Sequence, residues 1–233
     1  MNTTRNETDE SPLRDRRHRA PGRAAFDAAL LLAALACLPA LSAAQDARTL
    51  GPLDEQGTVT YYIAEGTPGS TYRATDRQLA EWALAAWERS GNGAFHFVPG
   101  SEETALVRIY WVPAGGGEYG EMRPIIVDGR RGAAVFVRPD TDGFGEDIAK
   151  RARADDLFRD TIVYLTCVHE LGHALGLVHT ATFDDVMYFF GYGGDIVQFF
   201  GRYRERLHRR ADIADFAGVS AGDLEQLHEL YPK

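Results

Sequence analysis

Of the seven histidines in the chain, His169, His173 and His179 fall within the stretch "VHELGHALGLVHT", with one acid, Glu170, among them. Residues four apart lie one turn apart on a single face of an α-helix, so His169 and His173 present two imidazoles to one point. Glu170, beside the first imidazole, brings a carboxylate within reach of a water at that point without being a ligand itself. This is the chemistry of H-E-x-x-H: two zinc ligands and a general base. His179 lies six positions beyond His173, out of phase with the helical face, so it joins them only if the helix stops and the chain turns back. Gly176 is placed for that stop, because glycine takes the positive-φ conformation that ends many helices. A chance helix accounts for the short motif as readily as a zinc site does. The full pattern H-E-x-x-H-x-x-G-x-x-H favours zinc, since each added residue serves the same geometry. The flanking "DTIVYLTCV" and "ALGLV" are apolar, as a helix buried at the centre of a domain requires.

The long motif resembles that of the metzincin zinc endopeptidases, and within them the matrixins, the group of the matrix metalloproteinases. That family carries a methionine in a tight turn beneath the metal, and Met187 in "DVMYFF" follows His179 here. Tyr188 continues the matrixin Met-Tyr-Pro pattern. Phe189 departs from its proline, which helps to wall the specificity pocket. The same place holds a metal-binding tyrosine in astacins and serralysins, so no fourth protein ligand is expected. The resemblance implies an α+β, zincin-like fold: a twisted mixed five-stranded sheet, a central zinc-binding helix, a second long helix and a C-terminal helix, with the cleft between sheet and Met-turn. It also implies a substrate peptide extended along the edge strand of the sheet. The segment similar to that edge is 132–138, with Ala134, Phe136 and Tyr188 as cleft residues.

The resemblance extends over 57–232. The closing "SAGDLEQLHELYP" is similar to the matrixin terminal helix, where Asp223 matches one acid of a pair and Gly222 replaces the other. The family's structural-zinc histidines are missing from "GEYGEMRPIIVDGRRGAAVFV", so one catalytic zinc and no second is expected. "RPDTDGFGED" gathers Asp140, Asp142, Glu146 and Asp147 around two glycines, a composition that suits a bound calcium or a solvated turn.

The elements that must position these residues are legible in outline. "VTYYIA" (59–64) reads as a strand. Thr75 and Gln78 form a capping box for a helix with Leu79, Trp82, Ala83, Ala86 and Trp87 in one stripe and Gly91 as its stop. Strands are expected over 95–98 and 105–112, and "PIIV" and "AAVFVRP" flank the turn signal "DGRRG" as a hairpin. His96 is expected to point outward, and Cys167 to be buried in apolar surroundings away from the metal face. "DIVQFFGRYRERLHRR" suggests an amphipathic helix inside an insertion, 189–219, longer than in matrixins, with its arginines on a solvated face.

At the N-terminus Arg14, Arg16, Arg17, Arg19 and Arg23 precede "AALLLAALACLPALSAA", too short and alanine-rich for a membrane span. The layout is that of a secretory signal peptide, cleaved after Ala44, giving a leader over 1–44 and a catalytic domain over 45–233. Retention of the segment as an anchor and lipidation of Cys37 are the alternatives, and only these would bring a membrane into contact. The formal net charge of −9 becomes about −10 without the leader, which argues against a nucleic-acid partner. Cys167 alone would remain, so no disulfide framework exists. The expectation is a secreted, monomeric zinc endopeptidase acting on peptides or proteins, with Glu170 taking a proton from a zinc-activated water. The competing class is a non-catalytic secreted or surface-anchored protein that binds peptides through zinc. Residues 45–58 contain no cysteine that would latch the metal, so the chain from Gln45 onward is expected to be active without proteolytic activation.

Overall fold

The structure, a computed structural model, describes residues 51–53, 57–115 and 118–232. The leader expected over 1–44, with Cys37, and the segment from Gln45 to Leu50 lie outside the described residues. The elements run β1 (Thr58–Ile63), α1 (Asp76–Ser90), β2 (His96–Pro99), β3 (Val107–Trp111), β4 (Gly120–Val127), β5 (Arg130–Val137), α2 (Glu146–Ala154), α3 (Asp156–Leu175), α4 (Ile196–Arg204) and α5 (Ala221–Leu230). Short 3-10 turns lie at Asp142–Phe144, Phe190–Tyr192 and Arg210–Ala214. The fold is α+β, with a mixed five-stranded sheet in the order β2-β1-β3-β5-β4. β4 is antiparallel to β5, and the other neighbours pair in parallel.

One face of the sheet is the core face. Val107, Ile109 and Trp111 of β3 and Ala133, Val135 and Val137 of β5 are fully buried, every second residue as the pleat demands. Leu79, Ala83 and Trp87 of α1 and Ile162, Val168 and Leu171 of α3 complete the same cluster. The Trp87 indole N–H donates to the Val168 carbonyl at 2.8 Å, pinning α1 against α3 one residue before the first histidine of the motif. The β4–β5 connection is Asp128 and Gly129, both at positive φ (50° and 78°). That is the two-residue primed turn whose twist matches a hairpin.

Three expectations are corrected. The segment 132–138 is not the sheet edge: β5 is paired with β3 on one side and β4 on the other, so β4 is the edge. Alternation along a sequence identifies a strand but not its neighbours, and β4, without regular burial, is the weaker signal. Thr75 is helical and makes no side-chain cap to α1. The Asp76 carboxylate takes the neighbouring Arg73 N–H instead, and Gln78 Oε1 accepts from Arg210. In the acidic run 138–147, Glu146 and Asp147 open α2 after Gly145, and the exposed Asp142 and Glu146 pair with Arg153 at 2.7 and 3.3 Å, which leaves the expectation there as it stands. The insertion's arginines are not simply solvated. Arg204 bonds Asp155 at 2.8 Å, Arg210 bonds Asp160 at 2.7 Å, and Arg202 pairs with Asp184 while donating to the Phe183 carbonyl. They fasten 195–210 to α3 and to the loop after it. His96 is exposed and faces Glu88, and Cys167 is fully buried.

Candidate metal centre

The site begins with α3. Asp155 caps its start, accepting from the amides of Leu157 and Phe158 at 3.0 and 3.1 Å. Arg159, itself buried, forms an ion pair with Asp76, fixing the N-terminal half of α3 to α1. The helix stops at Gly176, left-handed at φ 105°, with Leu177 N–H on the Gly172 carbonyl and Gly176 N–H on that of His173. These two bonds are a Schellman closure. A side chain at 176 would also run into the Gly51 carbonyl. The turn brings His179 back to the other histidines, as the spacing requires.

The ring nitrogens settle what the three imidazoles can hold. Nδ1 of His169 lies 2.6 Å from the Val186 carbonyl and Nδ1 of His173 lies 2.9 Å from that of Leu177. A carbonyl only accepts, so both Nδ1 atoms carry the proton and each Nε2 presents its lone pair toward His179. Those Nε2 atoms sit 3.3 and 3.0 Å from Nε2 of His179. Zinc–nitrogen bonds of about 2.0–2.1 Å in a tetrahedron place the nitrogens roughly 3.3 Å apart. The donor set therefore fits zinc. Burial and the neighbouring His173 hold the His169 imidazole well below its usual range, against the pull of its Val186 bond, which favours the neutral form a metal needs. Among the described residues this is the one cluster of three or more His, Cys, Asp or Glu able to hold a metal.

Glu170 is 6% exposed. Burial pushes its carboxyl up to about 8; Arg138 opposes the rise and Glu118 and Glu121 add to it. What covers it is backbone. A Cβ at Gly120, the first residue of β4, would fall 2.6 Å from the Glu170 Cγ and 2.7 Å from its Oε1. The sheet edge thus passes directly over the acid, and only glycine lets it come so near. Sequence reading had no signal for Gly120, since nothing in "GEYGEM" marks which strand would lie there.

The loop side of the site is held by side chains far away in sequence. Met187 is fully buried against α3, where Gly172 leaves room: a Cβ there would collide with the Met187 sulfur. Thr180 N–H donates to the Met187 carbonyl at 2.9 Å, and Phe189 N–H to that of Thr180 at 3.1 Å, so the residues after His179 pair with those after Met187. Asp223, wholly buried at the start of α5, accepts from the amides of Val186 (2.8 Å), Met187 (3.2 Å) and Ser220 (2.8 Å). The Ser220 hydroxyl donates to Asp185 at 2.6 Å. Gly222 is packed on that same Asp185, which explains a small residue where a second acid was looked for.

Of the cleft residues expected from sequence, only Tyr188 is brought to this loop, buried with its hydroxyl on the Gly193 carbonyl at 2.9 Å. Ala134 and Phe136 belong to the interior strand β5. Phe136 alternates with the core residues Val135 and Val137 and stacks on Tyr110 at 5.5 Å, on the face of the sheet away from α3. Phe189, where the matrixin pattern has proline, lays its ring against His179, centroids 4.8 Å apart.

A family model described as Matrixin matches residues 53–195. Matrix metalloproteinase-20 of Homo sapiens is 27% identical over 143 residues, which cover 59% of this chain and 27% of that protein. The chain thus spans little more than a quarter of that relative's length. The match runs from before β1 through the histidines and the Met187 turn, stopping just ahead of α4. Taking in more than half of the chain, it shows that the chain belongs to the matrixin family of metalloproteases.

Proposed function

We propose that this chain is a secreted zinc-dependent endopeptidase, in which His169, His173 and His179 hold the metal and Glu170 is the general base. The observation that carries the reading is the convergence of three Nε2 atoms, two of them with their Nδ1 protons committed to carbonyls, beside one buried carboxylate. Bound zinc supplies Lewis acidity toward a scissile carbonyl and lowers the pKa of water. With the bound cation beside it favouring the ionised form, Glu170 takes the proton of the attacking water on its carboxylate and passes it to the leaving amine as the peptide bond breaks. Gly120 packs against both Glu170 and Thr166, and Met187 supports the floor. The exposed edge of β4 offers the row of backbone groups to which an extended peptide pairs.

Glu170→Gln tests the reading. Peptide hydrolysis is expected to fall by about 10²–10⁴-fold, with zinc content staying near that of the unaltered protein; full activity in the variant overturns the proposal. The assay is run on protein recovered from the culture medium, where N-terminal sequencing is expected to find Gln45 first if the leader is removed as proposed.

A further inference from the structure

The edge strand β4 carries a proline, Pro124, in its middle. Proline has no N–H to give to a ladder, so the direction in which residue 124 would have donated decides what its presence does. The hydrogen bonds of β5 fix that direction. The Ala133 N–H donates to the Leu106 carbonyl at 2.7 Å and the Val112 N–H to the Val137 carbonyl at 2.9 Å, so odd-numbered residues of β5 turn their backbone groups toward the β3 side. The Arg138 N–H goes the other way, to the Tyr119 carbonyl at 2.9 Å. The residues of β4 that face odd-numbered partners are Gly120 on Val137, Met122 on Val135, Pro124 on Ala133 and Ile126 on Arg131. In an antiparallel ladder such pairs exchange no bonds with each other, and their backbone groups point to the opposite side.

That side is the free edge. Among the described residues β4 has β5 as its one neighbour in the sheet, and Pro124 is exposed. The edge therefore offers an added strand both backbone groups of Gly120 and both of Met122. At 124 it offers a carbonyl, with a ring methylene where the donor would be. Gly120 lies over Glu170, so the first of these rungs stands at the proposed general base. At about 3.4 Å per residue, Met122 is roughly 7 Å along and Pro124 roughly 14 Å. A peptide carbonyl brought against Pro124 gives up water and receives no donor in exchange.

We infer that Pro124 ends the pairing edge: a substrate is held as an added strand at Gly120 and Met122 and leaves the sheet at 124. The inference rests on the proposed peptidase reading and sets the length of substrate that its site reads. Pro124 is thus a specificity-determining residue through the bond it withholds. Ile126, beyond the break, has an outward N–H of its own. A strand lifted off at 124 must come back to reach it, and one net hydrogen bond does not offset the ordering of two more residues.

The test is a series of peptides built outward from one cleavable bond and lengthened one residue at a time at either end. Affinity is measured by calorimetry on the zinc-loaded Glu170→Gln chain, and kcat/KM on the unaltered one. At the end that runs toward the β4–β5 turn, affinity is expected to rise until the peptide spans Met122, then to stay level within about twofold for residues added across 124–126. Pro124→Ala, introduced into the Glu170→Gln chain, restores the N–H. The ratio of long-peptide to short-peptide affinity is then expected to rise about fivefold, the size of one net hydrogen bond. Pro124→Thr should give the same gain, which separates the nitrogen from the shape of the side chain. Calorimetry needs no turnover, so a lack of hydrolysis beside this pattern of affinities would sink the peptidase reading and leave the edge inference standing. A rise that continues across 124–126 in the chain that keeps Pro124, or no gain in either variant, overturns the inference.

Discussion

His169 and His173 owe their spacing to one helix, while His179 reaches the same point through a reversal and a loop. The helix half of the site is held by short-range geometry: an Asp155 cap at one end, a Schellman closure at the other, and fixed i, i+4 spacing between. The loop half has only a few short-range bonds of its own, such as Thr180 with Met187 and Phe189. The amides of Val186 and Met187 are satisfied by Asp223, and the floor, Met187, is set by the space that Gly172 leaves on α3. Two of the three histidines therefore come with the helix, and the third comes with tertiary structure. The two halves should respond differently to damage.

The largest effect is expected on the loop half. Asp223→Ala strips an acceptor from three amides at once, and each buried donor left unsatisfied costs about 1–3 kcal/mol. A loss of about 3–5 kcal/mol in denaturant unfolding is expected, together with zinc affinity lowered about 10–100-fold, the usual range for a support behind the ligands. Equal zinc affinity in the variant would show that the loop half stands without Asp223. Gly176→Ala strikes the joint between halves. It forces a side chain into a left-handed position and toward the Gly51 carbonyl, for about 2–3 kcal/mol of stability. Zinc competition titrations should show weaker binding as His179 is carried away from its partners. The smallest effect belongs to the helix half. Asp155→Ala removes the α3 cap and the Arg204 pair together, for about 1–2 kcal/mol. Zinc affinity is expected to be unchanged, since the loss lies at the far end of the helix; a shift in affinity would mean that the helix is not the self-contained unit described.

The same division governs what the sequence reveals. The helix half is local, so its two histidines, its acid and its terminating glycine are all legible within "HELGHALGLVH". The Asp-Gly hairpin is legible for the same reason: two residues determine its turn. The five-stranded sheet was implied by resemblance, yet its edge was misassigned to 132–138, because pairing order is settled by contacts between β3, β5 and β4 that no single strand encodes. Gly120 was invisible on those grounds. Its importance comes from lying over Glu170, fifty positions later in the chain. Asp223 could be matched by resemblance, but its hold on Val186 and Met187 is a through-space fact. The arginines of 195–210 misled for a different reason. A run of charge usually marks a solvated surface, and here the partners Asp155, Asp160 and Asp184 lie on α3 and the loop beyond it.

The Asp223 carboxylate also imposes an order in time. It stands 37 positions after Val186, whose amide it accepts. At about 5–20 residues per second, a ribosome adds it roughly 2–7 s after that amide has been made. Throughout the interval a nascent chain already possesses His169, His173 and His179, but the turn carrying Val186 and Met187 has no acceptor to settle on. Completion of α5, rather than the appearance of the histidines, is then the event that matures the centre. A stall in translation between Met187 and Asp223 leaves a chain with all three histidines and an unfinished floor.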